Sequence, residues 1–314
     1  MTSRLSGRPG RGLAVIASSA ASTQAGAAVG AQAFAALTPI GVVAGRQLVA
    51  ALVMLAVARP RFWRYTRGQW LPILGLAAFF AGMNSFLYAA LERIGLGMAV
   101  TIEFLGPLAV ALLFSRAPGA RLRSLLCAAL ALGGVLLLTR PGPTSDVLGL
   151  AFAVLAAACW AGYILTNRVV GRRVPGVEGT AVATMISAAG MLPVALVIVA
   201  GTQPPLAAVG FAIIAGLLSS AVPYTLDLIV LRHISPVVFG LGMSLHPVFA
   251  ALIGVIFLQE DLPLVGFAGV VLVACANALT LISRTIRPPE PDVSGSSYSG
   301  DRPARGRVRR RGLR

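Results

Sequence analysis

Apolar runs about 20 residues long recur ten times along this chain, at about 13–33, 38–58, 70–91, 97–115, 122–139, 147–168, 179–200, 206–231, 235–258 and 264–283. A helix of that length rises about 30 Å, the thickness of a bilayer's hydrocarbon core. Within lipid every backbone amide must be satisfied inside the chain, which leaves helices or a closed barrel. Barrel strands are about ten residues long and alternate apolar with polar. These runs are longer, rich in Ala, Gly, Leu and Val, and do not alternate. The expected fold class is all-α integral membrane, with ten transmembrane helices. Only 11% of the 314 residues are charged, against about 25% in soluble domains. That is too little charge to cover a water-soluble globule.

Lysine is absent, so all 26 basic residues are arginine. With a cytoplasmic N-terminus and alternating spans, most of them fall on one side. That side holds Arg4, Arg8 and Arg11; Arg59, Arg61, Arg64 and Arg67; Arg116, Arg121 and Arg123; Arg168, Arg172 and Arg173; Arg232; and the arginines of the tail. The outer loops hold Arg93 and Arg140, with Glu92, Asp146, Glu260 and Asp261. This is the positive-inside pattern, and it places both termini in the cytoplasm of a multi-pass inner or plasma membrane protein. Trp63, Tyr65 and Trp70 fall where the third span enters, as interface aromatics do. The net charge of +16 therefore reads as topology, with no nucleic acid partner. The arginine-rich segment 284–314 has the composition of a disordered basic tail, suited to anionic headgroups. The first run follows three arginines, as a signal peptide would, but Ser18, Ser19, Ser22, Thr23 and Gln24 make it too polar for one. Cys127, Cys159 and Cys275 lie far apart within apolar runs and read as buried free cysteines, without metal or disulfide spacing.

The two halves of the membrane part resemble each other. A shift of 140 residues lays Leu91 and Ile94 on Leu231 and Ile234, Leu105-Gly106-Pro107 on Leu245-His246-Pro247, and Ala111-Leu112 on Ala251-Leu252. Each half holds five spans, an odd number, so the second copy enters from the opposite side. The expected domains are a cytoplasmic arm, 1–12; a first repeat, 13–140; a second, 147–283; and the tail, 284–314. Two inverted five-helix repeats are a common build of secondary transporters, whose halves exchange conformations around a midplane site.

Three spans carry a charge: Arg46, Glu103 and Asp227. Each costs about 2.5–3.5 kcal/mol at a helix centre and needs a partner or a task. Glu103 lies about 10 Å into its span. Pro107, four residues on, frees its carbonyl and breaks the helix. Glu103 suits either proton coupling and a substrate amine, or a static ion pair with Arg46. Arg46 suits that pair or a substrate carboxylate. Asp227, after the helix break at Pro223, suits proton coupling or a solvated gate. His246, before Pro247, suits titration or hydrogen-bonded packing. Gln24, Asn84, Tyr88, Tyr163, Asn167, Tyr224 and Thr225 would line a pore for a small zwitterion, while Trp160 and the phenylalanines pack. A membrane enzyme would need a clustered nucleophile, metal or acid pair, and the sequence offers none.

Four stretches make the chain recognisable: Gly82-Met83-Asn84; the run Glu103-Phe104-Leu105-Gly106-Pro107-Leu108-Ala109-Val110-Ala111-Leu112; Cys159-Trp160-Ala161-Gly162-Tyr163-Ile164-Leu165; and Pro223-Tyr224-Thr225-Leu226-Asp227. Through them the sequence resembles the EamA family of the drug/metabolite transporter superfamily, in particular its threonine- and homoserine-exporting branch. The resemblance implies two inverted five-helix repeats and efflux driven by the proton gradient. Arg46, Glu103 and Asp227 sit at matching polar positions, with Asp227 where the family pattern has glutamate. The ninth span departs further. Its usual Ser-Met-Glu-Pro reads Ser244-Leu245-His246-Pro247, so a base-capable residue replaces an acid. The expectation is an exporter of a small amino acid or related metabolite by proton antiport, with alternating access. The alternative is a multidrug or other metabolite exporter of the same superfamily. Solute, protons and the bilayer are the partners, a homodimer is open, and no cofactor is called for.

Overall fold

The computed structural model describes residues 9–113, 120–139, 146–174, 177–223, 226 and 243–285. Among these the regular elements are helical and no strand occurs. The helices are α1 (Pro9–Ala31), α2 (Phe34–Ala58), α3 (Arg67–Ile94), α4 (Leu96–Glu103), α5 (Leu105–Leu113), α6 (Ala120–Thr139), α7 (Val147–Arg173), α8 (Glu178–Thr202), α9 (Leu206–Gly216), α10 (His246–Leu258) and α11 (Leu264–Thr285). Each of the ten apolar runs contains one of them or a pair. Four helices, α2, α3, α7 and α8, are long and apolar enough to cross a membrane by length and composition. The first eight residues, the tail beyond 285 and residues 227–242 lie outside the described residues.

Helix ends follow local chemistry. Thr38 lies inside α2 at φ 58° and ψ 161°, because Pro39 disfavours the helical region for the residue before it. The regular part of α2 thus starts where the apolar run does. Thr66 and Gln69 form a capping box at the start of α3, satisfying amides that no turn precedes. Asp146 caps α7 by accepting the amide of Gly149 at 2.8 Å.

The fourth run is not one helix but two, parted at Phe104. Pro107 has no N–H for the carbonyl of Glu103, which weakens the turn there. The ninth run repeats the device: Ser244 and Leu245 form a turn before α10, with Pro247 in its first turn. The first run starts earlier than expected, at Pro9. After α9 the chain widens into a π-helical turn, Leu217–Ala221, where the amide of Val222 reaches the carbonyl of Leu217. Pro223 cannot donate to Ser219, and a wider turn accommodates its ring.

Helices pair as α3 with α7, α2 with α8, α6 with α11, and α4 with α10, while α1 packs on α9 and α10. Small residues allow this closeness, since lipid supplies no hydrophobic drive between helices. The core is rich in alanine, with Ala27, Ala90, Ala99, Ala153, Ala156 and Ala250 buried around Val42, Leu96 and Tyr88. At the α6–α11 crossing, a Cβ on Gly134 would lie 2.6 Å from the carbonyl oxygen of Gly269. The outer surface is apolar, with Leu52, Leu71, Leu113, Val197, Phe257 and Leu264 exposed. A soluble protein rarely exposes so much apolar surface, whereas a lipid-facing one must. The cysteines are free, but only Cys127 is buried. Cys275 is exposed, which corrects the expectation that all three are buried. Its place in a lipid-facing helix explains its apolar neighbours in sequence.

The loops gather at two ends of α3. At one, Glu178 accepts the Tyr65 hydroxyl at 3.2 Å and the Arg61 amide at 3.4 Å. There too Arg173 donates to the carbonyl of Gly68 at 2.6 Å. At the other, Arg93 pairs with Asp146 at 2.9 Å, and Glu260 accepts the amides of Leu96 and Gly97. The two sets are those that the arginine pattern assigns to opposite sides.

Candidate functional site

A cavity of about 250 Å³ opens where α1, α2, α3, α4, α7 and the π-helical turn converge on the start of α10. Gln24 reaches it from α1, Arg46 from α2, Asn84 from α3, Glu103 from the end of α4, Tyr163 from α7, and His246 from the start of α10. Pro223 lines it as well. Seven of the residues picked from the sequence therefore meet here, although they come from distant parts of the chain. Pro107 and Pro247 do not line it; they sit one turn behind the breaks they cause. Tyr224 and Asp227 lie outside the described residues.

Tyr88 is placed differently from its expected pore-lining role. It is fully buried beside the cavity, with the guanidinium carbon of Arg46 5.3 Å from its ring centroid and Phe34 edge-on at 5.9 Å. The ring thus serves as a platform for the arginine. Asn167 also lies away from the cavity and accepts the Thr180 hydroxyl at 3.0 Å, an interhelical bond.

The two charges on the cavity wall do not pair. Among the described residues the only ion pair is Arg93 with Asp146, far from the site. Glu103 is 5% exposed, and Arg46 reaches the cavity beside it without closing a salt bridge. Both are available to a solute. The breaks in the fourth and ninth runs touch through their rings: Phe104 stacks on His246 with centroids 5.5 Å apart, and meets Trp160 edge-on at 4.6 Å. His246 is held further by Gln24, whose amide nitrogen lies 3.1 Å from Nδ1.

Sequence reasoning passed over Gln47, Ser219 and Ser220, and it used Ser19 and Thr23 only against a signal peptide. All five line the cavity. Gln47 is the clearest omission: it follows Arg46 and accepts the Ser187 hydroxyl. Uncharged polar residues are common enough in such helices that only convergence marks these. The π-helical turn is tied to α1, since Ser219 donates to the carbonyl of Thr23 at 3.0 Å and Ser22 donates to the carbonyl of Leu218 at 2.8 Å.

Outside the spans, three groups have displaced acidities. Burial, and then the carboxylate of Glu178, pushes the Tyr65 phenol up to about 12. The Gly149 amide, with Arg93, holds the Asp146 carboxyl below its ordinary value. Burial pushes the Glu260 carboxyl up, against the pull of the Leu96 and Gly97 amides.

A helical bundle with an apolar exterior, broken helices and a polar cavity holding one acid and one arginine defines a membrane-embedded protein of the solute-handling kind. The comparisons agree. The EamA-like transporter family matches residues 147–282. The threonine/homoserine exporter RhtA of Salmonella typhimurium (strain LT2) is 33% identical over 232 residues, covering 73% of this chain and 78% of that protein. The exporter of the same name from Escherichia coli (strain K12) is 32% identical over the same length and shares. One solved crystal structure has this fold at a TM-score of 0.61, with 20% identity, covering 86% of this chain and 98% of its own. The chain belongs to the EamA-like transporter family.

Proposed function

We propose that this protein is a secondary transporter of the inner or plasma membrane. It exports a small amino acid of the threonine or homoserine kind by proton antiport, with both termini in the cytoplasm. The observation that carries this reading is the cavity bordered by Glu103 and Arg46 without an ion pair between them. A zwitterion offers each its counterpart, the ammonium to Glu103 and the carboxylate to Arg46, while the polar wall replaces its hydration. The relatives' names supply the solute class.

Alternating access between two inverted five-helix repeats fits the packing. Exchanging each span with the one five places later maps the α2–α8, α4–α10 and α6–α11 pairs onto themselves. It also carries the break at Phe104 to that at Ser244, 140 residues on. In this mechanism Glu103 holds a proton in one orientation and a substrate ammonium in the other, so the two exchange across the membrane. Asp227, where the family pattern has glutamate, is the second candidate for that task.

In proteoliposomes, Glu103→Gln should abolish amino-acid flux driven by a pH gradient and weaken solute exchange, because the amide gives the ammonium no counter-charge. Gradient-driven flux that persists unchanged removes the coupling role.

A further inference from the structure

On three helices the buried core lies between the cavity and the end where Glu260 sits. Leu91 follows Asn84 in α3, Ala99 precedes Glu103 in α4, and Ile253 follows His246 in α10. That end is packed shut, and a solute leaves through it only if these helices part there. The seam between α4 and α10 is thin. A Cβ on Gly97 would lie 2.9 Å from the Cα of Ala251, and one on Gly254 would collide with Oε2 of Glu260.

One carboxylate spans this seam at its outer end. The Glu260 amide donates to the Gly254 carbonyl of α10 at 3.1 Å, and its carboxylate accepts the Leu96 and Gly97 amides of α4. The side chain is thus anchored on one helix and closes on the first turn of the other. Amides at a helix start have no partner within their own helix, and a carboxylate binds them more strongly than a neutral acceptor does. Both bonds must break if the two helix ends separate. The 140-residue shift that lays Pro107 on Pro247 lays Ala120 on Glu260, so the matching position of the other half has no acid.

We propose that Glu260 is the latch of an outer gate: it holds the α4–α10 seam closed towards the outside and lets go when the cavity opens there. The inference rests on the export reading above, whose alternating access requires such an opening. A contact present in only one of two states biases their balance by its own free energy, so loss of the latch favours the outward-open state. Since α4 is only eight residues long, its release moves the helix that ends in Glu103.

Met83 lines the cavity and is half-buried, so Met83→Cys, with Cys127, Cys159 and Cys275 replaced by serine, reports access to it. In right-side-out membrane vesicles, an impermeant, ammonium-bearing methanethiosulfonate added outside should label that cysteine at least about tenfold faster in Glu260→Ala than with Glu260 intact. Glu260→Gln, which keeps one acceptor, should fall between them. Asp146→Ala removes a cap and an ion pair at the same end but nothing across the seam, so it should leave the rate unchanged. An unchanged rate in Glu260→Ala overturns the latch. An equal rise in Asp146→Ala also overturns it, because that would mark a general loosening of the outer end. Threonine flux in wild-type vesicles tests the export reading separately: its absence removes the solute from that reading, while the labelling rates still decide the latch.

Discussion

Glu260 reaches back from the turn after α10 to accept the amide of Gly97 at 3.2 Å. It takes the Leu96 amide as well, so one carboxylate from the far half of the chain caps α4. Gly95 stands at φ 79°, and a Cβ there would lie 2.8 Å from the Glu260 carboxyl carbon. Glu260→Ala would leave two amides without this acceptor and should cost about 1–3 kcal/mol. Glu260→Gln keeps an acceptor and should cost less. Because burial raises this carboxyl, the folded state binds its proton more tightly than the unfolded one. The stability so linked is fully present below the unfolded value and is lost as pH rises through the folded one. Thermal unfolding in detergent at several pH values should show this slope in wild type and its loss in Glu260→Gln. An Ala variant as stable as wild type would rule out the cap.

Asp146 has two tasks at the same end, the α7 cap and the pair with Arg93. The cap is the larger cause of its lowered acidity. Asp146→Asn, which can still cap, should therefore melt above Asp146→Ala. Arg93→Ala should shift the melting temperature little, since exposed pairs contribute little. The sign here is opposite to that of Glu260: stability is present above the ordinary carboxyl value and lost as pH falls through the lowered one. Equal melting of the Asn and Ala variants would remove the cap from the account.

Two adjacent glycines of α6 should behave differently. A Cβ at Gly134 would press on the backbone of Gly269 at 2.6 Å, whereas one at Gly133 meets open space. Gly134→Ala should destabilise by about 1–3 kcal/mol, as overpacking does. Gly133→Ala should be neutral or mildly stabilising, because alanine favours the helix. Melting curves of the pair in one detergent check this, and equal shifts would contradict the close crossing.

Tyr88 supports Arg46 through its ring face. Tyr88→Phe keeps that face and removes a hydroxyl that has no partner among the described residues, so transport should be nearly unchanged. Tyr88→Leu removes the face. A contact of about 0.5–2 kcal/mol should then appear as a rise in KM of about 2- to 30-fold. A Phe variant as impaired as Leu would shift the role to the hydroxyl.

Much of the helical order was legible in the sequence, for a simple reason. Length and apolarity are local, and the bilayer imposes them on each span separately. The proline-marked breaks were legible too, since Pro107 and Pro247 act on carbonyls four residues back. The candidate site was legible in part. Glu103, Arg46 and His246 are conspicuous because charge and imidazole are costly in lipid. Gln47 is not, and Tyr88 was misplaced, because a polar residue's spacing along a helix does not say which neighbour it faces.

By itself, the sequence determined that this chain is a helical membrane protein, and which few costly groups its spans carry. The tertiary structure alone decided that Glu103 and Arg46 share a cavity without pairing, that Arg46 lies over Tyr88, and that His246 stacks on Phe104 from the other half of the chain. The reason is physical. Span hydrophobicity sums over neighbours in the chain, while the site depends on how each helix is rotated against others, and small residues far apart in sequence set that rotation.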